Sequence, residues 1–563
     1  MLLILIIMDV FKQHITTLIR KITNLPENEI YTVLETPPNP SFGDYSFPCF
    51  LIASKEKKSP KDIANNLVRY FHPDSYISKV ECKGAYINFF INQAKLNEIL
   101  LKEILKRKYN FGTSLIGKNK KALIEHTSIN PNAEPHLGRV RNALIGDSLV
   151  RLLKFLGYKV EVHYYVNDIG KQIAMLVLAA KNKKRKFKDL IKLYIQINKD
   201  IEKNPELEKK VFELLNKLEH GNRKVRKQFN DIVGICVKGQ SSILKEIGIN
   251  YNYFDYESDY LFNKDCNKIL KELAKTNKLF TDEQNRQVLD LRGFNLPQDS
   301  SFFVLTRSDG TSLYGLRDLA YTIYKIKHAK DRNIIVLGED QKLYYAQFRA
   351  ALNLLSHKAP EIVHYSFVLL NEGKMSTRAG NVVLLSNFME EITKKAQDEL
   401  EKRKNKDNKL AKVIGYGALK YSIIKISPEK NVIFNPEQAL SFEGDSAPYI
   451  QYSYARANSI LRKAKLTKKI NPTLINKKEE ITLIKMLADF PNVVNKTARD
   501  LKPNYIANYA YDLAQKFNEF YHNCPVLKEN KDLRNARLAL VLAFTYVIKT
   551  ALNLLGIEAP LKM

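Results

Sequence analysis

Apolar and polar positions divide the chain into three regimes. In residues 10–22 and 60–71 the apolar positions return at helical spacing, and residues 85–91 read as a strand. The turn-rich Pro37-Pro38-Asn39-Pro40 and Gly43-Asp44 stretch separates these parts, and Lys118-Asn119-Lys120-Lys121 is the expected linker. A second regime begins at Ala122. Residues 122–126 form a short apolar run, followed by a loop containing Asn130-Pro131-Asn132 and Pro135. A long helix is predicted over residues 139–156, its apolar positions Ile145, Leu149, Leu152 and Leu156 stepping by four, three and four, with Gly157 as the stop. Residues 158–166 are β-rich and partly alternating. Strand, loop, helix, strand is one βαβ unit, the seed of a parallel sheet.

Charged helical segments at 204–218 and 223–247 predict an insertion over about 178–280. Strand-like runs at 301–305 and 333–337, each tied to a helix, are expected to supply the second half of the sheet. Beyond about Ile426 the chain reads as almost entirely helical, with Ala-, Leu- and Tyr-bearing stripes at 448–464, 505–521 and 537–555. The expected organisation is a small α+β domain (9–115), an α/β domain with a helical insertion (116–430) and an all-α bundle (431–563).

Charge narrows the function. Across 563 residues, 90 Lys and Arg face 60 Asp and Glu, a net +30 that points to a polyanionic partner, nucleic acid before acidic membrane. An apolar fraction of 45% with 10% aromatics excludes a disordered chain. The five cysteines are odd in number, widely separated and without a CxxC pair, which argues against a zinc ribbon or disulfide framework and for a reducing, cytoplasmic compartment. The opening MLLILIIM has no preceding basic residue and no cleavage site, so it fails as a signal segment, and the start is left open between Met1 and Met8. No other stretch reads as long enough to span a bilayer, and the chain is expected to be soluble.

Three loops carry candidate chemistry. Gly112-x4-Gly117-Lys118 imitates a P-loop, but Asn119 stands where a hydroxyl should hold magnesium and the motif precedes a strand instead of following one. His136-Leu137-Gly138 at the helix entrance, followed by Arg139, offers free N–H groups, a side-chain-free approach at Gly138 and an imidazole donor for a phosphate. As a bare tripeptide it carries little weight. Gly373-Lys374-Met375-Ser376-Thr377-Arg378 follows the apolar run 367–370; its two cations could close over a triphosphate and offset charge on a leaving pyrophosphate. Alone it would more often be a surface turn. The two loops sit after strands in the two halves of one α/β unit, where open parallel sheets bind ligands.

In that order the two loops resemble the His-x-Gly-His and Lys-Met-Ser-Lys-Ser signatures of class I aminoacyl-tRNA synthetases. The wider wording is closer still to the arginyl-tRNA synthetase family. It runs through Glu125-His126-Thr127-Ser128-Ile129-Asn130-Pro131-Asn132 and Pro135 to Asp147, then Asn167-Asp168-Ile169-Gly170-Lys171-Gln172 and Tyr314-x2-Arg317-Asp318. It continues through Met375 to Val383, Asp445-x2-Pro448-Tyr449-x-Gln451-Tyr452 and the ending Leu555-Gly556-Ile557-Glu558-Ala559-Pro560, covering essentially the chain from residue 9.

The resemblance implies a Rossmann-like catalytic domain, an N-terminal domain that meets the tRNA elbow and a C-terminal anticodon-binding bundle. It implies ATP-dependent ligation of L-arginine to tRNA(Arg) through an arginyl-adenylate, with Mg2+ accompanying ATP, no structural metal, and a monomer. Arginine-binding positions fall on Glu125, Asn130, Tyr314, Asp318 and Gln341; ATP contacts fall on His136, Gly138, Lys374, Met375 and Ser376; the catalytic set is His136, Arg139, Lys374 and Arg378. Expected tRNA contacts are Tyr86, Asn88 and Phe90 in the N-terminal domain and Tyr452, Arg456, Tyr509 and Met563 in the bundle. Lys181 to Lys188 is either a phosphate-tracking segment or a solvated helix face.

Two positions depart from the family pattern. Arg139 replaces the second signature histidine and Thr377 the second signature lysine, while the position that often compensates holds Ala133. Either Arg139 supplies the missing charge near the triphosphate, or it pairs structurally with Asp147 or Glu134. Two rival readings are weighed against this one. A basic RNA-binding paralogue without catalysis is disfavoured because Glu125, Asp318, Gln341 and Lys374 all stand, and a synthetase for another amino acid is disfavoured by the paired acids.

Overall fold

The computed structural model describes residues 7–180, 185–329, 331–369, 383–467 and 469–563. Its first unit is built on an antiparallel sheet of β1 (Tyr45–Pro48), β2 (Ile77–Lys83) and β3 (Tyr86–Ile91), with β3 in the middle. Ile87, Phe89 and Ile91 turn inward against helices Ile7–Thr23 and Pro60–Leu67, the second opening with proline at its first position. Tyr86 and Phe90 are half-buried on the other face, but Asn88 is not available to a partner. It lies opposite Ser46 in the ladder, is 2% exposed, and accepts from the Ser46 hydroxyl at 2.7 Å. A polar residue on a central strand is covered from both sides, which removes Asn88 from the expected tRNA-facing set.

Helix Gln93–Arg107, capped by the Asn92 side chain, leads into the α/β unit. The expected linker is shorter than the charge run, because Lys121 already belongs to β4 (Lys121–Thr127). β4 pairs in parallel with β5 (Lys159–Val166), and β5 with β6 (Tyr253–Tyr256). A separate antiparallel sheet follows, made of β7 (Leu279–Thr281), β8 (Gln287–Asp290) and β9 (Phe302–Val304). β10 (Arg332–Gly338) and β11 (Glu361–Tyr365) then rejoin the first sheet, whose order is β11-β10-β4-β5-β6. Covered on both faces, β4, β5 and β10 are almost continuously buried, as parallel strands should be.

Two expectations change here. The segment 178–280 is not wholly an insertion: after helices Phe187–Lys203, Glu206–Glu219 and Arg223–Glu246 the chain returns to the central sheet at β6. The run 301–305 does not enter that sheet. Phe302 is 45% exposed and its neighbour Phe303 is buried, the alternation of an antiparallel strand with one wet face. The crossover helix between β4 and β5 spans Arg141–Phe155, preceded by a 3-10 turn at Leu137–Arg139. Gly146 lets this helix lie directly on β4, since a Cβ there would meet the His126 side chain at 2.0 Å. Gly157, at φ +88°, reverses the chain after it.

Helices Leu385–Lys402 and Asn408–Ile424 pack on each other, the second also against the crossover helix, and lead to a bundle of Ala447–Lys463, Lys478–Asp500, Asn504–Asn523 and Lys531–Leu554. The last of these is, by length and composition, apolar enough to cross a membrane, contrary to the sequence expectation. It is instead the bundle's core helix, with 78% of its apolar window buried and Phe544 stacked 3.9 Å from Phe517. A buried ion pair, Arg537 to Glu480 at 2.6 Å, with Glu529 at 2.8 Å, clamps its first half. Tyr509 belongs to the same core. Its hydroxyl donates to the Met486 carbonyl at 2.9 Å and its ring meets Phe490, so it is withdrawn as a tRNA contact.

Candidate active site

The loop after β4 is held from beneath by an element that sequence reasoning assigned only to the insertion. Gln240, fully buried on helix Arg223–Glu246, donates to the carbonyls of Asn130 (3.0 Å) and Ala133 (2.7 Å). The Tyr164 hydroxyl from β5 is bonded to Gln240 at 2.8 Å and to the Ile129 carbonyl at 2.9 Å. A polar residue in the apolar stripe Val233, Cys236, Val237, Gln240, Leu244 was the available signal.

From that support the loop delivers His136 to the N-terminus of the crossover helix. Its imidazole is pushed down to about 4, first by burial and then by the Arg139 charge, so it is neutral at physiological pH; Nδ1 is buried with no bonding partner among the described residues. The loop is stitched to residues 383–386: Leu137 N–H to the Val383 carbonyl (3.1 Å), Leu385 N–H to the Pro135 carbonyl (2.8 Å) and Ser386 N–H to the Glu134 carboxylate (2.9 Å). Lys374, Met375, Ser376, Thr377 and Arg378 lie outside the described residues. Their flanks do not. β12 (Val368–Leu369), paired with β13 (Val432–Ile433), precedes them, and Phe367 and Val368 share with His136, Gly138 and Arg139 a cavity of about 370 Å³.

A second cavity, about 320 Å³, adjoins the first, sharing Asn130, Arg139, Gly338, Asp340 and Tyr365 with it. Glu125, Asn130, Tyr314, Asp318 and Gln341 all line it, although they come from β4, its loop, helix Tyr314–His328 and the turn after β10. Asp318 accepts from the Tyr344 hydroxyl at 2.5 Å. Burial, then the charge of Glu257 and less strongly of Glu125, lifts its carboxyl to about 7, while Tyr344 and Arg317 pull the other way. Behind it, Glu257 joins Arg317 (2.8 Å) and Asn167 (3.1 Å). Glu125 is ion-paired with buried Lys325. Tyr314, 55% exposed, forms the rim, its ring 5.2 Å from that of Tyr344. Sequence reading missed Lys325, Tyr344 and Glu257, whose roles depend on which strands meet.

Arg139 does not form the pair with Asp147 or Glu134 among the described residues. Asp147 is paired with Arg151 at 2.7 Å and Glu134 accepts from the Ser386 N–H, whereas Arg139 forms no ion pair among the described residues and stands beside the Tyr365 hydroxyl between the cavities. Ala133 is buried and contributes only its carbonyl to Gln240.

In the bundle, Tyr452, Arg456 and Met563 line a groove of about 810 Å³ together with Tyr521, His522, Lys463 and Lys528. The Arg456 guanidinium lies 4.8 Å from the ring centroids of both Tyr452 and Tyr521 and donates to Asn518 at 2.6 Å. In the N-terminal sheet Lys79 covers Phe90, and exposed Phe50 packs edge-on to Tyr86. Of Lys181 to Lys188, the first four residues lie outside the described residues. No group of three or more metal-binding side chains occurs among the described residues.

Comparisons with known proteins follow this layout. Residues 9–91 match the family described as arginyl tRNA synthetase N terminal domain, residues 100–435 match tRNA synthetases class I (R), catalytic domain, and residues 450–563 match the DALR anticodon binding domain. The arginine–tRNA ligase of Methanocaldococcus jannaschii is 38% identical over 574 residues, covering 99% of this chain and 100% of that protein. That of Methanocella arvoryzae is 40% identical over 527 residues, 91% of this chain and 92% of its own. The solved arginyl-tRNA synthetase of Thermus thermophilus is similar with a TM-score of 0.81 at 28% identity, covering 94% of this chain and 96% of that one. The chain belongs to the arginyl-tRNA synthetase family of class I aminoacyl-tRNA synthetases.

Proposed function

We infer that this protein ligates L-arginine to tRNA(Arg) at the expense of ATP, through an arginyl-adenylate. The observation that carries the reading is the acidic cavity: five side chains from four separate elements, two of them carboxylates, converge beside the His136 loop. A cavity walled by Glu125 and Asp318 suits a substrate with a guanidinium and an α-ammonium, and planar two-point pairing disfavours lysine by geometry as well as charge. Tyr314 at the rim and Asn130 and Gln341 at the sides complete the arginine site.

ATP enters the adjoining cavity, with its phosphates toward Gly138 and the helix N-terminus and Mg2+ carried in by the phosphates and water. The arginine carboxylate attacks the α-phosphate in line, the bond to pyrophosphate breaks, and the terminal ribose hydroxyl of tRNA then displaces AMP. Neither step needs a protein nucleophile. What is needed is positioning and charge: neutral His136 donates a hydrogen bond to the phosphate, Arg139 faces it from the seam, and Lys374 and Arg378 with Met375 and Ser376 offset the leaving pyrophosphate. Tyr86 and Phe90 serve the tRNA elbow and Tyr452, Arg456 and Met563 the anticodon, by stacking and charge. The enzyme works as a cytoplasmic monomer. Charging of an unfractionated tRNA pool with each of the twenty amino acids tests the assignment; arginine alone should become acid-precipitable, and charging with a different amino acid would overturn it.

A further inference from the structure

Lys325 lies inside the arginine cavity and takes no part in the chemistry above. It occupies the buried face of helix Tyr314–His328, 1% exposed and among the largest fully buried side chains described. Its ammonium is ion-paired with Glu125 and sits 4.3 Å from the centroid of the Tyr321 ring. Tyr321 is itself fixed, stacked on Tyr165 at 4.3 Å and donating to Asp255 at 2.7 Å, a carboxylate that also contacts His163 at 2.6 Å. A buried ammonium costs several kcal/mol of desolvation unless it is paired this well, and an apolar side chain would fill the same space at less cost. Helix packing alone gives no reason for a cation here.

The charges around it do. With Asp318 ionised, Glu125, Asp318 and Glu257 set three carboxylates against the two cations Lys325 and Arg317, leaving one net negative charge. Asp340 and Arg139 at the seam add none. Free arginine carries one net positive charge. On the reading of the site given above, we propose that Lys325 is a positioning residue for the amino-acid substrate: it engages one oxygen of Glu125, leaves the other for arginine, and sets the cavity's charge to match a single cation. Without it Glu125 would lose the partner that fixes its carboxylate, and neither oxygen would be held in place for the substrate.

The test uses the full chain, with arginine binding followed by calorimetry and ATP–pyrophosphate exchange followed across pH 6 to 9. Lys325→Met should weaken arginine binding and raise its KM about tenfold or more, and leave KM for ATP within about threefold. Lys325→Arg, which keeps the charge, should recover most of the loss. Unchanged arginine affinity in Lys325→Met overturns the proposal. So does a uniform loss in both substrates and thermal midpoint that Lys325→Arg fails to rescue. A wild-type chain that does not bind arginine would instead overturn the functional assignment, and this proposal with it.

Discussion

On the proposed function, Asp318 is expected to carry the pH dependence of arginine binding. Burial and the neighbouring carboxylates hold its carboxyl at about 7, so it is largely neutral below that pH and charged above it. A cationic substrate binds the charged form, and below pH 7 it must first displace the proton. The expected profile of kcat/KM for arginine falls about tenfold per pH unit below 7 and is level above, apart from any limb set by the substrate. Asp318→Asn should lose about a hundredfold and abolish that limb; persistence of the limb in the variant assigns the titration to another group. His136 makes the opposite case: held near 4, it is a neutral donor throughout the working range and adds no limb of its own. Arg139, exposed and without an ion pair among the described residues, should be separable from stability. Arg139→Ala is expected to raise KM for ATP about tenfold with no change in thermal midpoint, and an unchanged KM would return Arg139 to the protein surface as a bystander.

At the scale of elements, helix Arg223–Glu246 is the support of the catalytic loop. Gln240→Leu keeps its bulk but leaves the buried carbonyl of Ala133 unpaired, at roughly 1–3 kcal/mol, and takes from the Asn130 carbonyl one of its two partners, the Asn132 N–H remaining. Amide hydrogen exchange should show residues 129–136 less protected in the variant, with KM raised for arginine and ATP together, and equal protection in both proteins would rule the support out. This layer was the least legible in the sequence. The βαβ unit and the C-terminal stripes could be read because local periodicity determines them. The strand β6 and the antiparallel placement of β9 could not, because four- and three-residue strands carry too little pattern to name a partner. The five residues proposed for arginine were named from family wording and share one cavity, while Lys325, Tyr344 and Gln240 act through contacts made only when distant strands and helices meet. Asn88 and Tyr509 show the converse: polar and aromatic side chains suited to RNA were already satisfied by Ser46 and the Met486 carbonyl.

Across the whole molecule, the last ten residues run from the catalytic helix to the C-terminal groove. Ser148 donates to the Leu554 carbonyl at 2.9 Å, buried Lys420 to that of Gly556, Gln451 to that of Glu558 at 2.8 Å, and Arg462 to that of Leu561 at 3.1 Å, and the chain ends with Lys562 and Met563 in the groove. On the proposed function, the groove and the net +30 charge are expected to set the tRNA term. Arg456→Ala should raise KM for tRNA about tenfold and flatten the dependence of log affinity on log salt by about one, with arginine affinity unaltered; an unchanged salt slope would confine Arg456 to packing. The most direct test of the central assignment is ATP–pyrophosphate exchange with the purified chain, run with each amino acid in the presence and absence of tRNA. Exchange with arginine and with no other amino acid is the expected result, and its appearance only with tRNA would add that tRNA completes the site. No exchange under any condition, while tRNA still binds, would contradict the assignment and make this an RNA-binding member of the family without its chemistry.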